Sequence, residues 1–180
     1  MQRKVSALLA IGLSLCASSA LAYTGATIIM MWPGVNGGVT TVGYVGGIGL
    51  TAYTQSFLSP LSPTGPGKPS CGVVILQKNI DIASTAFMTH GMTGKVIPKL
   101  TINFPQTDVA TLVDPLTITL INAYVTSVQQ GDPTLHGVTE TITLQAQEFE
   151  FTDYPINNTG VLGPPLKFGW NCVTDTVVSF

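Results

Sequence analysis

The side chains that most often carry chemistry are few and far apart in this sequence. His90 and His136 each stand alone, and Cys71 and Cys172 lie about a hundred residues apart. A zinc site needs clustered cysteine and histidine ligands at short spacing, and neither a P-loop nor a Gly-x-Ser-x-Gly nucleophile motif is present. The sequence therefore predicts no metal, no cofactor and no catalytic residue, and both histidines are predicted to be structural.

Two acidic residues are close enough to share a site. Glu148 and Glu150 are separated by one residue, so their side chains lie on one face of a β-strand. Paired carboxylates can perform general acid–base chemistry. Phe149 and Phe151 occupy the alternate positions, which favours a strand with one solvated acidic face and one apolar face. A secreted enzyme on a β scaffold is kept as a lesser alternative.

The first residues have the layout of a secretory signal peptide. Two basic residues precede an apolar run of 11 residues, 5–15, and small residues follow up to Ala22. Cleavage is predicted between Ala22 and Tyr23. We therefore expect a signal peptide, residues 1–22, followed by a single domain, residues 23–180, that is exported to the periplasm or secreted from the cell.

Two other interpretations of this segment are less favoured. A membrane anchor needs about 20 consecutive apolar residues, and the apolar run here is shorter. Lipidation at Cys16 is disfavoured because Leu15 precedes it, where a small residue is preferred. No later apolar run is long enough to span a membrane.

Cysteine content agrees with export. If Cys16 leaves with the signal peptide, Cys71 and Cys172 remain as an even pair in an oxidising compartment. A disulfide between them is favoured, and it would tie the third predicted strand to the last. The alternative is two unpaired buried thiols that behave as small apolar side chains.

Charge is scarce, and this restricts the classes of partner. Only 9% of residues are charged, against about 25% in typical proteins. Arg3 is the single arginine, and Lys68 is the only charged residue between Tyr23 and Gln77. Nucleic acids and anionic membranes require a basic surface. The predicted partner is therefore another protein or further copies of this chain.

The hydrophobic pattern has mostly a period of two, which predicts β-strands. One short helix is predicted at residues 81–90, with Asp81 or Ser84 as N-cap and Gly91 as the stop. A change of phase before Phe149 predicts a bulge. Strands are predicted at residues 26–32, 44–53, 72–77, 96–104, 116–120, 139–151 and in the terminal run 166–180.

Two segments between and after these strands have particular roles. Residues 59–70 contain four prolines, which remove backbone donors and predict a long surface loop. In the terminal run, Phe168 and Trp170 alternate on one face. That run is predicted to close the sheet and seal the core, so the fold class is a mainly β barrel or sandwich with one short helix.

Several stretches, in order, resemble the Hcp (haemolysin-coregulated protein) family of type VI secretion systems. IIMMWPGVNGG is similar to the family's first strand and glycine turn, and residues 76–102 to its strand, helix and following strand. This region includes a K-x-x-D-x-x-S entry to the helix at Lys78, Asp81 and Ser84. Residues 118–132 and 139–155 resemble its central hairpin, with Glu140 before the second arm, and GPPLKFGWN resembles its terminal strand.

The resemblance implies an antiparallel β-barrel with one flanking α-helix. It also implies hexameric rings that stack around a channel and serve as tube subunits, secreted proteins or carriers of effectors, without catalytic residues. The proline-rich segment corresponds to a loop that reaches a neighbouring subunit. Its residues are therefore possible contacts with a subunit or partner: Ser59, Pro60, Pro63, Pro66, Lys68 and Pro69.

This sequence departs from that family in four respects: a predicted signal peptide, two cysteines after residue 22, no arginine after residue 22, and a nearly uncharged first half. We therefore expect an exported, non-enzymatic bacterial protein that acts by self-assembly or partner binding, as a secreted effector or a structural component. The alternatives are a conventional tube subunit in a hexameric ring and, less favoured, a secreted enzyme or a carbohydrate-binding module. Such a module would use exposed rings among Trp32, Tyr44, Tyr53 and Tyr154.

Overall fold

A computed structural model describes residues 28–59, 61–63, 65–67, 69–106, 114–131, 137–155, 157 and 162–179. The predicted signal peptide and its cleavage site between Ala22 and Tyr23 lie outside these residues. So do Pro60, Lys68 and His136.

The described residues form eleven strands and one helix, which confirms a mainly β fold with a single short helix. All the pairings between these strands are antiparallel, and so is an isolated bridge between Trp32 and Val35. The elements are β1 (Ile28–Met31), β2 (Ile48–Leu50), β3 (Ala52–Leu58), β4 (Leu61–Ser62), β5 (Gly65–Pro66), β6 (Ser70–Asn79), α1 (Ser84–Thr93), β7 (Ile97–Asn103), β8 (Leu116–Gly131), β9 (Thr139–Asp153), β10 (Leu166–Asn171) and β11 (Thr176–Val178).

Nine of these strands form one curled sheet. Its main path runs β11–β10–β9–β8–β7–β1–β2, while β3 pairs with β6 and β6 pairs with β9. β2 and β3 are separated only by Thr51, whose N–H donates to the Gln77 carbonyl oxygen at 2.8 Å. Because the strand pairing is interrupted at this bend, the sheet curls around its core without closing.

The second predicted strand begins later than expected. Tyr44 to Gly47 form a turn, in which the Gly47 N–H donates to the Tyr44 carbonyl oxygen at 2.8 Å. Gly46 there has a φ of +80°, a conformation that glycine adopts at little cost. The extended chain therefore begins at Ile48 and continues past the predicted end to Leu58.

The predicted change of phase along β9 occurs, but the bulge lies elsewhere. Burial moves from Ala146 to Phe149, yet the register with β8 is continuous there. Asn122 of β8, between the residues paired with Glu148 and Ala146, has a φ of 50°. The register shift is located in β8 instead, between Val125 and Ser127.

The helix α1 ends beyond the predicted stop at Gly91. Gly94 takes the left-handed cap conformation, with a φ of 64°. Gly91 lies inside the helix, where an added Cβ would meet Val125 Cγ1 at 3.3 Å, so its small size allows the helix to approach β8. Phe87, fully buried, packs its ring 5.0 Å from that of Trp32.

The predicted role of the C-terminal strand is only partly correct. β10 forms where expected, but β11 folds back and pairs along its outer edge. Trp170 is partly buried against the core, whereas Phe168 is 50% exposed. The terminal strands therefore extend one edge of the sheet and do not seal it, because β10 finds its second partner in β11 and not in a distant strand.

Candidate functional site

Four side chains from β6, the turn that follows it, α1 and β9 form a charged cluster, which we call the Lys78 cluster: Lys78, Asp81, Ser84 and Glu140. All but Asp81 are buried. Lys78 and Glu140 lie directly opposite each other on paired strands and are both fully buried. The Lys78 Nζ lies 2.8 Å from Glu140 Oε2 and 2.8 Å from Asp81 Oδ1. It also donates to Ser84 Oγ at 2.9 Å.

Both carboxylate oxygens of Glu140 accept further hydrogen bonds. Ser84 Oγ donates to Oε2 at 2.6 Å, and Gln130 Nε2 donates to Oε1 at 2.7 Å. Burial by itself raises the pKa of Glu140, but the hydrogen bonds from Lys78, Ser84 and Gln130, together with the lysine charge, outweigh it and lower the pKa below its ordinary value of 4.5.

The Lys78 cluster also explains how the helix begins. Neither Asp81 nor Ser84 is the N-cap as predicted; that position is Ala83, which makes no side-chain cap bond. Asp81 Oδ1 instead accepts from the Ala83 N–H at 2.9 Å, and the Asp81 N–H donates to Ser84 Oγ at 3.1 Å. Through its contacts with Asp81, Ser84 and Glu140, Lys78 fixes the start of α1 against β6 and β9.

A serine beside a lysine resembles the pairing used in some nucleophilic sites. Here the lysine ammonium is already bound to two carboxylates, and Ser84 Oγ already donates to one of them. Ser84, Lys78 and Glu140 are all buried, so a substrate has no access to them. The geometry supports an anchoring role for the cluster, and it does not support catalysis.

Acidification should weaken the fold through Glu140. Because its pKa is lowered in the folded protein, the stability it contributes is fully present above its unfolded pKa and is lost as the pH falls through the folded value. We expect the free energy of unfolding to fall with decreasing pH below about 4.5. Urea denaturation between pH 3 and 7 measures this, and the Glu140→Gln variant should lose that part of the dependence. An identical pH dependence in both proteins would contradict it.

The predicted pair of cysteines is bonded in the structure. Cys71, in β6, is joined to Cys172, which directly follows β10, with the two Cα atoms 5.8 Å apart. Both half-cystines pack against the hydrophobic core. The bond therefore connects β6 to the end of β10, through two cysteines that are 101 residues apart in sequence.

The disulfide crosses a fork in the sheet. One edge of β9 pairs with β6 up to Leu144 and with β10 from Glu148 onwards. Between these two ladders, the Cys172 N–H donates to the Gln147 carbonyl oxygen at 2.8 Å. β6 continues away from β9 to pair with β3, so two arms diverge, and the Cys71–Cys172 bond holds them together at the point of divergence.

The proline-rich segment is a projecting ribbon. Its short strands β4 and β5 pair only with each other among the described strands and extend the β3–β6 hairpin. Leu61, in β4, is 91% exposed, and Leu58 is also exposed. Of the predicted contact residues, the described Ser59, Pro63 and Pro69 are exposed; the side chain of Pro66 is not described.

The remaining candidates are not brought together. Glu148 and Glu150 are each partly buried, and Glu148 accepts a hydrogen bond from Asn171 Nδ2 at 3.0 Å. His90 lies on α1, with Nδ1 2.9 Å from the Ala86 carbonyl oxygen and its ring 4.8 Å from that of Trp32. No group of three or more metal-ligating side chains occurs within the described part of the chain.

Sequence reasoning missed the pairing within the Lys78 cluster. Lys78 and Glu140 entered only as points of resemblance, and Asp81 and Ser84 also as N-cap candidates, all without assigned side-chain partners. The spacing of Lys78, Asp81 and Ser84, at i, i+3 and i+6, is a signal that could have indicated their contact, because it places the lysine close to the start of the helix. Glu140 lies 62 residues from Lys78, and only the pairing of β6 with β9 places it there.

No helix among the described residues has the length and apolarity to cross a membrane.

Comparisons with known proteins agree with this architecture. The family described as "Type VI secretion system effector, Hcp" matches residues 29–152, well over half of the chain. A search of curated proteins finds no match.

Several solved structures share the fold. One titled as a type six secretion system protein is 18% identical, with a TM-score of 0.78, and the alignment covers 84% of this chain and 98% of that one. Hcp1 from Salmonella typhimurium is 16% identical, with a TM-score of 0.70, covering 84% and 97%. A type VI secretion system effector from Yersinia pestis is 14% identical, with a TM-score of 0.64, covering 80% and 98%.

Proposed function

The chain belongs to the Hcp family of type VI secretion systems, and from that premise we propose that it is an exported, non-enzymatic member that acts by self-assembly or by binding a protein partner. The observation that carries this proposal is the ribbon of β4 and β5, which holds Leu61 almost fully in solvent. Covering such a leucine with another protein surface lowers the free energy, because apolar area is removed from water.

The composition of the ribbon supports contact with a protein. Lys68 is its only charged residue, and its prolines restrict the backbone before any contact is made. A restricted loop loses less conformational entropy on binding than a flexible one. The exposed residues Leu58, Leu61 and Pro63 therefore fit a protein surface better than a charged ligand.

Export is supported by two independent features. Residues 1–22 have the charge, apolar run and small residues of a signal peptide. The Cys71–Cys172 disulfide is the kind of bond that persists in oxidising compartments. The experiment below distinguishes a protein that remains in the periplasm from one that is released into the medium.

A conventional tube subunit is the second candidate, and the family match over residues 29–152 favours it. A carbohydrate-binding module is less well supported than it was from sequence, because the rings of Trp32 and Tyr44 are buried. A secreted enzyme gains no support from the buried Lys78 cluster.

The test is the mass in solution of the exported protein. The full chain would be expressed with its own N-terminus, recovered from periplasm and medium, and identified by intact mass, with Tyr23 expected as the first residue. Light scattering on a sizing column is then expected to give a multiple of the single-chain mass, with sixfold indicating a ring. Leu61→Asp should lower that mass, because a carboxylate is costly to bury.

Met92→Asp, in α1, is the matched control, since Met92 is an apolar residue outside the ribbon that is 88% exposed. It should leave the mass unchanged. An intact chain beginning at Met1 in the cytoplasm would contradict export and favour the conventional tube subunit. A single-chain mass at all concentrations would contradict self-assembly, leaving the ribbon as a surface for a different protein.

A further inference from the structure

An apolar cavity lies in the fork of the sheet. One wall comes from the β3–β6 arm, with Phe57, Pro69, Ser70 and Cys71, and the other from the β9–β10 arm. Its volume is about 250 Å³. The residues of the second wall are Phe149, Phe168 and Trp170.

Aromatic rings dominate this cavity. Phe149 is buried at its base, and its ring lies 4.7 Å from that of Phe57. Phe57 and Phe168, at the rim, are each 50% exposed. Two large rings left half in water beside a concave surface are unfavourable for a monomer unless something covers them, and clusters of this kind mark binding sites.

The lining residues define the chemistry of a ligand. None of the seven described lining residues carries a charge, so an ionised group entering the cavity would lose its hydration without gaining a partner among them. Glu148 and Glu150 flank Phe149 in sequence, but strand alternation directs their side chains to the other face. Rings on facing walls favour a flat aromatic group, which can stack on or meet them edge to face.

The volume of the cavity restricts the class of ligand further. An apolar cavity of about 150 Å³ can hold benzene, and drug-sized ligands occupy pockets of about 300–1,000 Å³. The fork cavity, at about 250 Å³, falls between these values. It therefore suits a molecule of one or two fused rings.

The disulfide makes the cavity a preformed site. Cys71 is itself part of the wall, and its bond to Cys172 fixes the β3–β6 arm relative to the β9–β10 arm. A cavity whose walls are held covalently does not have to be organised when a ligand enters, which favours affinity. We propose that the fork cavity is a binding site for a small, uncharged aromatic molecule of one or two fused rings.

The experiment uses the mature, oxidised protein and the uncharged naphthalene dye prodan, whose emission moves to shorter wavelength in apolar surroundings. Saturable binding of one dye per chain is expected. Indole should displace the dye, whereas naphthalene-2-sulfonate, a ring of similar size with a charge, should not. Free prodan and indole are small molecules, so their competition tests the ligand class directly.

Two substitutions at exposed positions test the cavity, one by enlarging it and the other by filling it. Phe168→Ala removes one wall and should weaken prodan binding about tenfold. Ser70→Phe places a ring in the cavity and should abolish binding. Leu166→Ala is the matched control, because Leu166 is exposed on the same strand, two residues from Phe168, and does not line the cavity; it should bind as the unmodified protein does.

The proposal is overturned by binding that does not saturate, by binding that neither cavity variant changes, or by equal loss in Phe168→Ala and Leu166→Ala. Displacement of prodan by self-association, seen as a rise in mass on concentration that releases the dye, would also overturn it. In that case a second copy of this chain would be the occupant of the cavity. Circular dichroism of each variant establishes that its fold is retained.

Discussion

Replacing Lys78 with methionine is expected to lower the free energy of unfolding by about 3–5 kcal/mol, the usual effect of leaving a buried charge without its partner. Methionine keeps most of the side-chain volume, so the loss comes from charge and hydrogen bonding. Glu140 would remain fully buried without its ammonium partner, and Asp81 would lose its ion pair at the helix entry. Urea denaturation at pH 7, monitored by circular dichroism, measures the change.

Two further variants separate the buried charge from general damage. Lys99→Met, at an exposed lysine of β7, should change stability by less than about 0.5 kcal/mol. Combining Lys78→Met with Glu140→Leu should recover much of the loss, because a buried ion pair can often be replaced by apolar side chains. If Lys78→Met is as stable as the unmodified protein, Lys78 and Glu140 do not form the buried pair described here.

Removing the disulfide is expected to have an effect of similar size. In the chain-entropy description, a cross-link that closes a loop of about 100 residues contributes about 4.7 kcal/mol, and this bond spans 101 positions. The double variant Cys71→Ser/Cys172→Ser should therefore unfold at much lower denaturant concentration than the oxidised protein. Guanidinium denaturation with and without a reductant gives the same comparison without mutation.

A thiol assay supplies the control for this prediction. The mature protein, unfolded without reductant, should contain no titratable thiol, and the reduced protein should contain two. Two thiols before reduction would show that Cys71 and Cys172 are not bonded. If reduction leaves the unfolding midpoint unchanged, the bond does not stabilise the fold in the way proposed.

The repeating pattern of the sequence was sufficient to predict most elements. Alternating apolar residues identify β7, β8 and β9 because one face of each strand packs on the core, and this requirement is visible locally. Both β8 and β9 are longer than predicted. Residues beyond Leu120 pair with the first part of β9, and Thr152 and Asp153 pair with the start of β8. Strand pairing of this kind depends on a partner and leaves only a weak local signal.

The helix boundaries show a similar division. Apolar and small residues around Phe87 indicate a short helix, but its N-terminus is determined by Lys78 and Glu140 rather than by a local cap. Its C-terminus is at Gly94, because Gly91 is required for close approach to Val125. The positions of both ends of the helix therefore depend on contacts with other elements.

By itself, the sequence indicated a mainly β fold with one helix, favoured a disulfide between Cys71 and Cys172, and carried the resemblance to the Hcp family and the lack of a local catalytic motif. These properties follow from periodicity, composition and short motifs, which act over a few residues. The tertiary structure alone decided the Lys78 cluster, the position of Phe168 and the fork cavity. Each of these depends on which strands share the edge of β9, and that depends on the free energy of packing distant segments together.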